Sequence, residues 1–329
     1  MTRISVIGAG AWGTALAQVY AEAGHDVTLW AREENLAQTI QKTKENPTYL
    51  LGIPLAGSIR ATSDLSRALR EDVLLNVVPA QYLRSILEQM KPYLRSDQPM
   101  VICAKGIEIQ SRRLLSDIVR EECPNPVAIL TGPSFATDLA KGLPTAATLA
   151  CTDRMMGERI QNALTSKHLR LYRSDDIVGA QIGGAIKNVI AIACGIIEGL
   201  GLGESARAAL VTRGLVEIAR LTVALGGKRE TLMGQCGVGD LMLTCASQQS
   251  RNFSFGYRMG KGETAEEILA SRKSVTEGVH TAKAAIQLAR DFDVEMPIVE
   301  NVNACIAGEV EIHNAIRRIL DRPAKAELV

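Results

Sequence analysis

Between residues 177 and 197 the sequence reads IVGAQIGGAIKNVIAIACGII, and Lys187 is its only charged residue. A run that is apolar or small on every face suits a buried helix. An isolated ammonium there is costly, and burial lowers its pKa toward the range where a lysine can both give and take a proton. Two plainer readings compete with acid–base chemistry. The side chain could snorkel to the surface or pair structurally with an acid, or the run could cross a membrane. A charge at the centre of a span costs roughly 2.5–3.5 kcal/mol on insertion scales, and Gln181, Asn188 and several glycines interrupt the segment, so no membrane insertion is expected. A partner for the lysine stands downstream. Asp240 lies alone among apolar residues in the glycine-rich stretch MGQCGVGDLMLTC (233–245), where it could orient the ammonium and tune its pKa. Arg251 and Asn252 follow in QSRNFSFG (249–256). Arginine and asparagine beside a helix start suit a phosphate monoester, although on open surface the same pair would mean nothing.

A second constellation opens the chain. Residues 4–17 read ISVIGAGAWGTALA, with Gly8, Gly10 and Gly13 directly after a short apolar run. Alone, G-x-G-x-x-G is a weak signal. Here a strand pattern precedes it, a helix pattern ending at Gly24 follows, and a second strand pattern, DVTLW, arrives at the spacing of one βαβ unit. In that context Gly8 makes the turn, Gly10 admits a pyrophosphate, and Gly13 lets helix and strand pack closely, with the helix N-terminus facing the phosphates. At the end of the second strand, where an NAD-specific site places Asp or Glu, this chain has Arg32, and Glu33 and Glu34 come later. A guanidinium suits a 2′-phosphate; stacked on adenine it would fit either cofactor. The reading leans to NADP(H), with NAD(H) also accepted.

These residues need elements to hold them. The first half alternates candidate strands (3–7, 26–30, 73–78, 100–104 and 127–130) with helical patterns such as 13–23 and 80–90. That alternation implies a parallel sheet covered on both faces, with ligands at the carboxyl ends of its strands. Beyond about residue 178, helical stretches dominate (179–198, 204–225, 278–291). The expected organisation is α/β: a Rossmann-type dinucleotide-binding domain over 1–178, then an all-helical substrate-binding and dimerisation domain over 179–329. Only the tail from about Pro323 reads as frayed.

Bulk composition sets the outer bounds. The 329 residues are 47% hydrophobic and 22% charged, as in a soluble globular protein, and the net charge of +1 argues against broad binding to nucleic acid or anionic membrane. Seven scattered cysteines without a C-x-x-C pair fit reduced, buried thiols in a cytoplasm, and four histidines form no metal-ligand spacing. No metal is expected, nor a secretory signal.

Taken together, the segments GAGAWGTA (8–15), VPAQ (78–81), AKG (104–106), TGPSFA (131–136), GGAIKNVIAIA (183–193), GVGDLMLTC (237–245), QSRN (249–252) and VTEG (275–278) resemble the bacterial-type NAD(P)-dependent sn-glycerol-3-phosphate dehydrogenases over nearly the whole chain. The resemblance implies an enzyme that interconverts dihydroxyacetone phosphate and sn-glycerol 3-phosphate, feeding glycerophospholipid synthesis, usually as a cytoplasmic homodimer. It makes Lys187 the acid–base residue. Lys105, Gly132, Ser134, Lys187, Asp240, Ser250, Arg251 and Asn252 match the family's substrate positions. Gly8, Gly10, Ala11, Trp12, Gly13, Arg32, Lys105, Ala136, Arg251, Val275 and Glu277 match its cofactor positions. Ala11 stands where some members carry Ser, and Trp12 where others carry Tyr or Phe. Two other classes remain as rivals. Dehydrogenases of the 6-phosphogluconate or 3-hydroxyacid type also use a lysine near a KN-like pair, but lack the GDL-x-x-TC and SRN blocks. A non-catalytic NAD(P) sensor would not need a lysine held in an apolar helix opposite an aspartate.

Overall fold

The computed structural model describes residues 1–272 and 275–323; the tail expected to fray beyond Pro323 lies outside them. Its strands are β1 (Arg3–Ile7), β2 (Asp26–Trp30), β3 (Glu45–Asn46), β4 (Leu50–Pro54), β5 (Arg60–Thr62), β6 (Val73–Asn76), β7 (Met100–Ile102), β8 (Val127–Thr131), β9 (Thr145–Ala150) and β10 (Leu169–Ser174). Eight form one sheet in the order β10-β9-β8-β7-β6-β1-β2-β5, while β3 and β4 make a separate antiparallel hairpin. Strand β1 lies inside the sheet, with Ile7 aligned to Trp30 of β2 on one side and to Asn76 of β6 on the other. Successive side chains point to opposite faces. Ile4 and Val6 therefore enter the core on one side of the sheet with Leu29 and Leu75, and Ile7 enters the other with Leu74 and Ile102.

The sheet departs from a purely parallel one at a single pairing. Strand β9 runs antiparallel to β8, and β10 then pairs parallel to β9. Strands β9 and β10 read TAATLA and LRLYRS, polar and small enough to lack the apolar runs that marked the inner strands. They were not expected as strands, nor were β5 and the hairpin. The helical pattern at 80–90 begins as a tight 3-10 turn, Ala80–Tyr82, before the helix Leu83–Met90.

The second half is built on one helix, Ile177–Leu200. Asp176 caps it by accepting from the Gly179 N–H at 2.8 Å, and Gly201, with φ of 71°, ends it in the left-handed conformation. It is long and apolar enough to cross a membrane, but 94% of its most apolar window is buried inside the fold. Its neighbours include the helices Glu204–Ala224, Asp240–Cys245, Arg251–Gly260 and Glu277–Asp291. The approach of Arg251–Gly260 is closest. A Cβ at Gly195 would lie 2.0 Å from the Phe253 carbonyl oxygen, and one at Gly256 would lie 1.9 Å from that of Ile192. Only glycines allow the two backbones to meet there. The first turn of the central helix packs toward the sheet, with Ile177 and Ala180 in the same apolar cluster as Ile102 and Ile129.

Candidate active site

Lys187 sits mid-way along the central helix and is only 6% exposed. Its Nζ donates to Asp240 Oδ1 and, at 2.6 Å, to Thr244 Oγ1. Asp240 is 1% exposed and takes a second ammonium on its other oxygen, since Lys105 Nζ lies 2.6 Å from Oδ2. One buried carboxylate thus serves two lysines from different halves of the chain. Lys105 also donates to the Gly132 carbonyl at 3.3 Å, and the Ser134 hydroxyl donates to the same oxygen at 3.3 Å. Burial is the main cause that pulls the Lys187 ammonium down from its ordinary pKa to about 8; the Asp240 charge opposes this, and Lys105 adds to it.

Local sequence explains the convergence. Asp240 opens the helix Asp240–Cys245, directly after a π turn over Gln235–Gly239. The glycine-rich stretch is therefore helical from Gln235 onward, and a glycine of the central helix lets it press close. A Cβ at Gly183 would meet the Cys236 carbonyl oxygen at 2.6 Å. Thr244 comes one helical turn after Asp240 and so shares its face; it was not singled out from the sequence, although the T of GDL-x-x-TC at that spacing is the signal that could have found it. Lys105 follows β7 and Gly132 follows β8, which brings both to the carboxyl edge of the sheet. A Cβ at Gly132 would lie 2.7 Å from the Ala147 Cα, so a larger residue would push β9 away.

The residues expected to hold a phosphate lie at the start of Arg251–Gly260. Ser250 caps this helix by accepting from the Phe253 N–H at 3.2 Å, and the N–H groups of the first turn have no carbonyl within the helix. Asn252 is largely committed to structure: its Nδ2 donates to Asn188 Oδ1 at 2.9 Å, and its Oδ1 accepts from the Gly278 N–H at 2.9 Å. What it can still offer an anion is its backbone N–H and a second amide hydrogen. Asn188, next to Lys187, was another residue the sequence reading passed over. Arg251 is open to solvent yet crowded by protein; that crowding lowers its pKa, and the Glu277 charge opposes the shift. Burial, in turn, pushes the Glu277 carboxyl up to about 7, with Arg251 and an N–H bond from Ala80 acting against it.

The glycine loop stands apart from this cluster, where the chain leaves β1 and the strand order reverses between β1 and β6. Gly8 has φ of 116° and lies against Val77, at the end of β6. A Cβ at Gly13 would fall 1.9 Å from the Gly8 carbonyl oxygen, whereas one at Gly10 would project into open space. The helix Ala11–Glu22 begins there, with Trp12 half-buried in its first turn. A dinucleotide fits this cradle: an open face above Gly10 and a helix N-terminus aimed at it, and near Gly106, after β7, Glu277 Oε2 is a buried acceptor without a donor. Arg32 lies just beyond β2, exposed, its guanidinium held by Glu33 Oε1 at 2.6 Å. Ala136 opens the short helix Ala136–Ala140, and Val275 is half-buried shortly before Glu277–Asp291. Among the described residues no three His, Cys, Asp or Glu side chains are grouped to hold a metal ion, and all seven cysteines are buried free thiols.

Comparison with known proteins bears on the whole chain. Residues 3–157 match the family described as NAD-dependent glycerol-3-phosphate dehydrogenase N-terminus, and residues 176–317 match its C-terminus. The chain is 50% identical over 326 residues to glycerol-3-phosphate dehydrogenase (NAD(P)+) of Parvibaculum lavamentivorans, covering 99% of this chain and 98% of that one. It is 51% identical to the enzyme of the same name from Rhodospirillum rubrum, covering 98% and 93%. The crystal structure of glycerol-3-phosphate dehydrogenase from Coxiella burnetii superposes with a TM-score of 0.94 at 36% identity, covering 98% and 99%. With both halves matched, the Rossmann-like sheet in place and a buried lysine facing it, the chain belongs to the NAD-dependent glycerol-3-phosphate dehydrogenase family.

Proposed function

We propose that Lys187 is the acid–base residue with which this NAD(P)-dependent dehydrogenase interconverts dihydroxyacetone phosphate and sn-glycerol 3-phosphate. The observation that carries this is one buried lysine, poised near neutral pH, held by Asp240 and Thr244 where the helical half meets the carboxyl edge of the sheet. When bound, the nicotinamide dinucleotide supplies or accepts the hydride at C2 of the substrate. Lys187, as the ammonium, hands a proton to the ketone oxygen during reduction; as the amine, it takes the proton from the C2 hydroxyl during oxidation. Asp240 holds that nitrogen in one place through both states, because Lys105 still compensates its charge when Lys187 is neutral. Arg251 and the N–H groups at the start of its helix bind the phosphate, with Ser250 and Asn252 fixing the geometry of that turn. Lys105, Gly132 and Ser134 line the substrate from the sheet side. Gly8, Gly10, Ala11, Trp12 and Gly13, with Ala136, Val275 and Glu277, would hold the cofactor. Arg32 favours NADP(H) by exchanging Glu33 for the 2′-phosphate, a small loss, since an exposed ion pair is worth about 0–1 kcal/mol.

The same reading divides the chain into a cofactor domain over 1–178 and a substrate domain over 179–329. It also makes the protein a cytoplasmic homodimer that feeds glycerophospholipid synthesis. The deciding experiment is Lys187→Met, assayed with dihydroxyacetone phosphate and NADPH. General acid catalysis contributes ~10²–10⁴-fold, so kcat falls by at least that order while NADPH still binds. Asp240 keeps Lys105 as its partner in that variant, so it is not orphaned, and folding survives. A folded Lys187→Met protein turning over at more than about a tenth of the normal rate would sink the assignment and move the search to Lys105.

A further inference from the structure

The hairpin formed by β3 and β4 is absent from the reaction as described, yet one of its residues reaches into the glycine loop. Asn46 is completely buried. Its Nδ2 donates to the Ala9 carbonyl at 2.9 Å and to Thr14 Oγ1 at 2.8 Å, while its Oδ1 accepts from the Tyr49 N–H at 3.1 Å. The Thr14 hydroxyl itself points to the Ala9 carbonyl at 3.4 Å. A second tie runs alongside, from the Ala56 N–H to Gln18 Oε1 at 2.7 Å. The hairpin is thereby bonded to the loop and to the helix it opens.

The consequence follows from the planarity of the peptide unit. In a trans peptide the C=O of one residue and the N–H of the next point in opposite directions. By holding the Ala9 oxygen toward the hairpin, Asn46 turns the Gly10 N–H the other way, toward the face where a Cβ on Gly10 would meet open space. Gly10 on one side makes this peptide easier to rotate, and the outside clamp fixes it. We propose that Asn46 is a positioning residue of the dinucleotide site, holding the Ala9–Gly10 peptide so that its N–H faces the pyrophosphate. Its contribution is to cofactor affinity, and Thr14 is its partner on the helix. The inference rests on the reading of the glycine loop as the dinucleotide site.

Asn46→Asp tests it, because the replacement has the same shape but offers the Ala9 oxygen no amide donor. The dissociation constant for NADPH, measured by calorimetric titration, rises about tenfold, as expected when a pair of hydrogen bonds is lost. The KM for NADPH rises in parallel. At saturating NADPH, kcat and the KM for dihydroxyacetone phosphate stay within about twofold, inside the range of one weak hydrogen bond. Adenosine 2′-phosphate, which has no pyrophosphate, binds Asn46→Asp and wild type alike. Thr14→Val, an isosteric change, weakens NADPH about threefold, and Thr14→Ser, which keeps the hydroxyl, restores it. The proposal is overturned if folded Asn46→Asp binds NADPH as tightly as wild type, or, should that variant not fold, if Thr14→Val does. Equal weakening of NADPH and adenosine 2′-phosphate also overturns it, since the loss would then be general. Wild-type protein that binds neither NADPH nor NADH overturns the glycine-loop reading itself.

Discussion

The chemistry of Lys187 depends on two charges that differ in reach. Burial disfavours its ammonium, Lys105 adds a like charge nearby, and Asp240 restores part of what both remove, leaving a pKa of about 8. With Lys187 as the proposed acid–base group, the two directions of the reaction use opposite forms of it. Ketone reduction needs the ammonium, so its kcat is level below pH 8 and falls about tenfold per unit above it. Alcohol oxidation needs the amine, so its kcat rises up to pH 8 and levels off beyond. Initial rates in both directions across pH 6 to 10 check this. Opposite inflections near 8 are expected, and a reduction rate that stays level to pH 10 would return the lysine to an ordinary, hydrated environment. Lys187 and Asp240 could be found in the sequence because each is a lone charge among apolar residues. Lys105 gave no such signal, and only family resemblance singled it out. That it shares the carboxylate of Asp240 across 135 positions is a fact of packing, which no local pattern encodes.

Elements place these residues, and glycines set how closely the elements approach. Gly195 and Gly256 bring the central helix and Arg251–Gly260 together backbone to backbone, which fixes the proposed phosphate turn relative to Lys187. Gly256→Ala would set a methyl 1.9 Å from a carbonyl oxygen, a clash that no rotamer relieves. Overpacking of this kind costs about 1–3 kcal/mol, so thermal unfolding moves to lower temperature. The helices also part, and the KM for dihydroxyacetone phosphate rises more than that for NADPH. Gly57→Ala is the control: a Cβ there has nothing within 4 Å, and its melting temperature stays put. If both variants melt alike, the crossing is looser than described. The long helices and inner strands were legible because their apolar residues recur at helical spacing or form unbroken runs. Strands β9 and β10 were not, because their alanine, threonine and arginine residues carry little apolar signal. The hairpin that carries Asn46 escaped for another reason: β3 is two residues long, with an irregular register to β4, and its importance comes from what it touches.

At the scale of the molecule, the glycine loop and Lys187 lie in separate apolar cores, and the central helix runs from the sheet into the second of them. From Ile177 to Ile196 every position of this helix except Val178 is buried. Regions with so little solvent contact open only when the whole fold does. Backbone amides around Lys187 therefore exchange with deuterium last, at the rate of global unfolding, while those of the exposed stretch from Leu202 to Ser205 exchange early. Mass spectrometry of peptides covering 183–193 checks this, and early labelling there would contradict it. The central helix thus acts as a fuse of the highest rating in the protein. Heating should not yield a folded but inactive intermediate in which Lys187 has come loose, and loss of turnover should coincide with the melting of the whole chain.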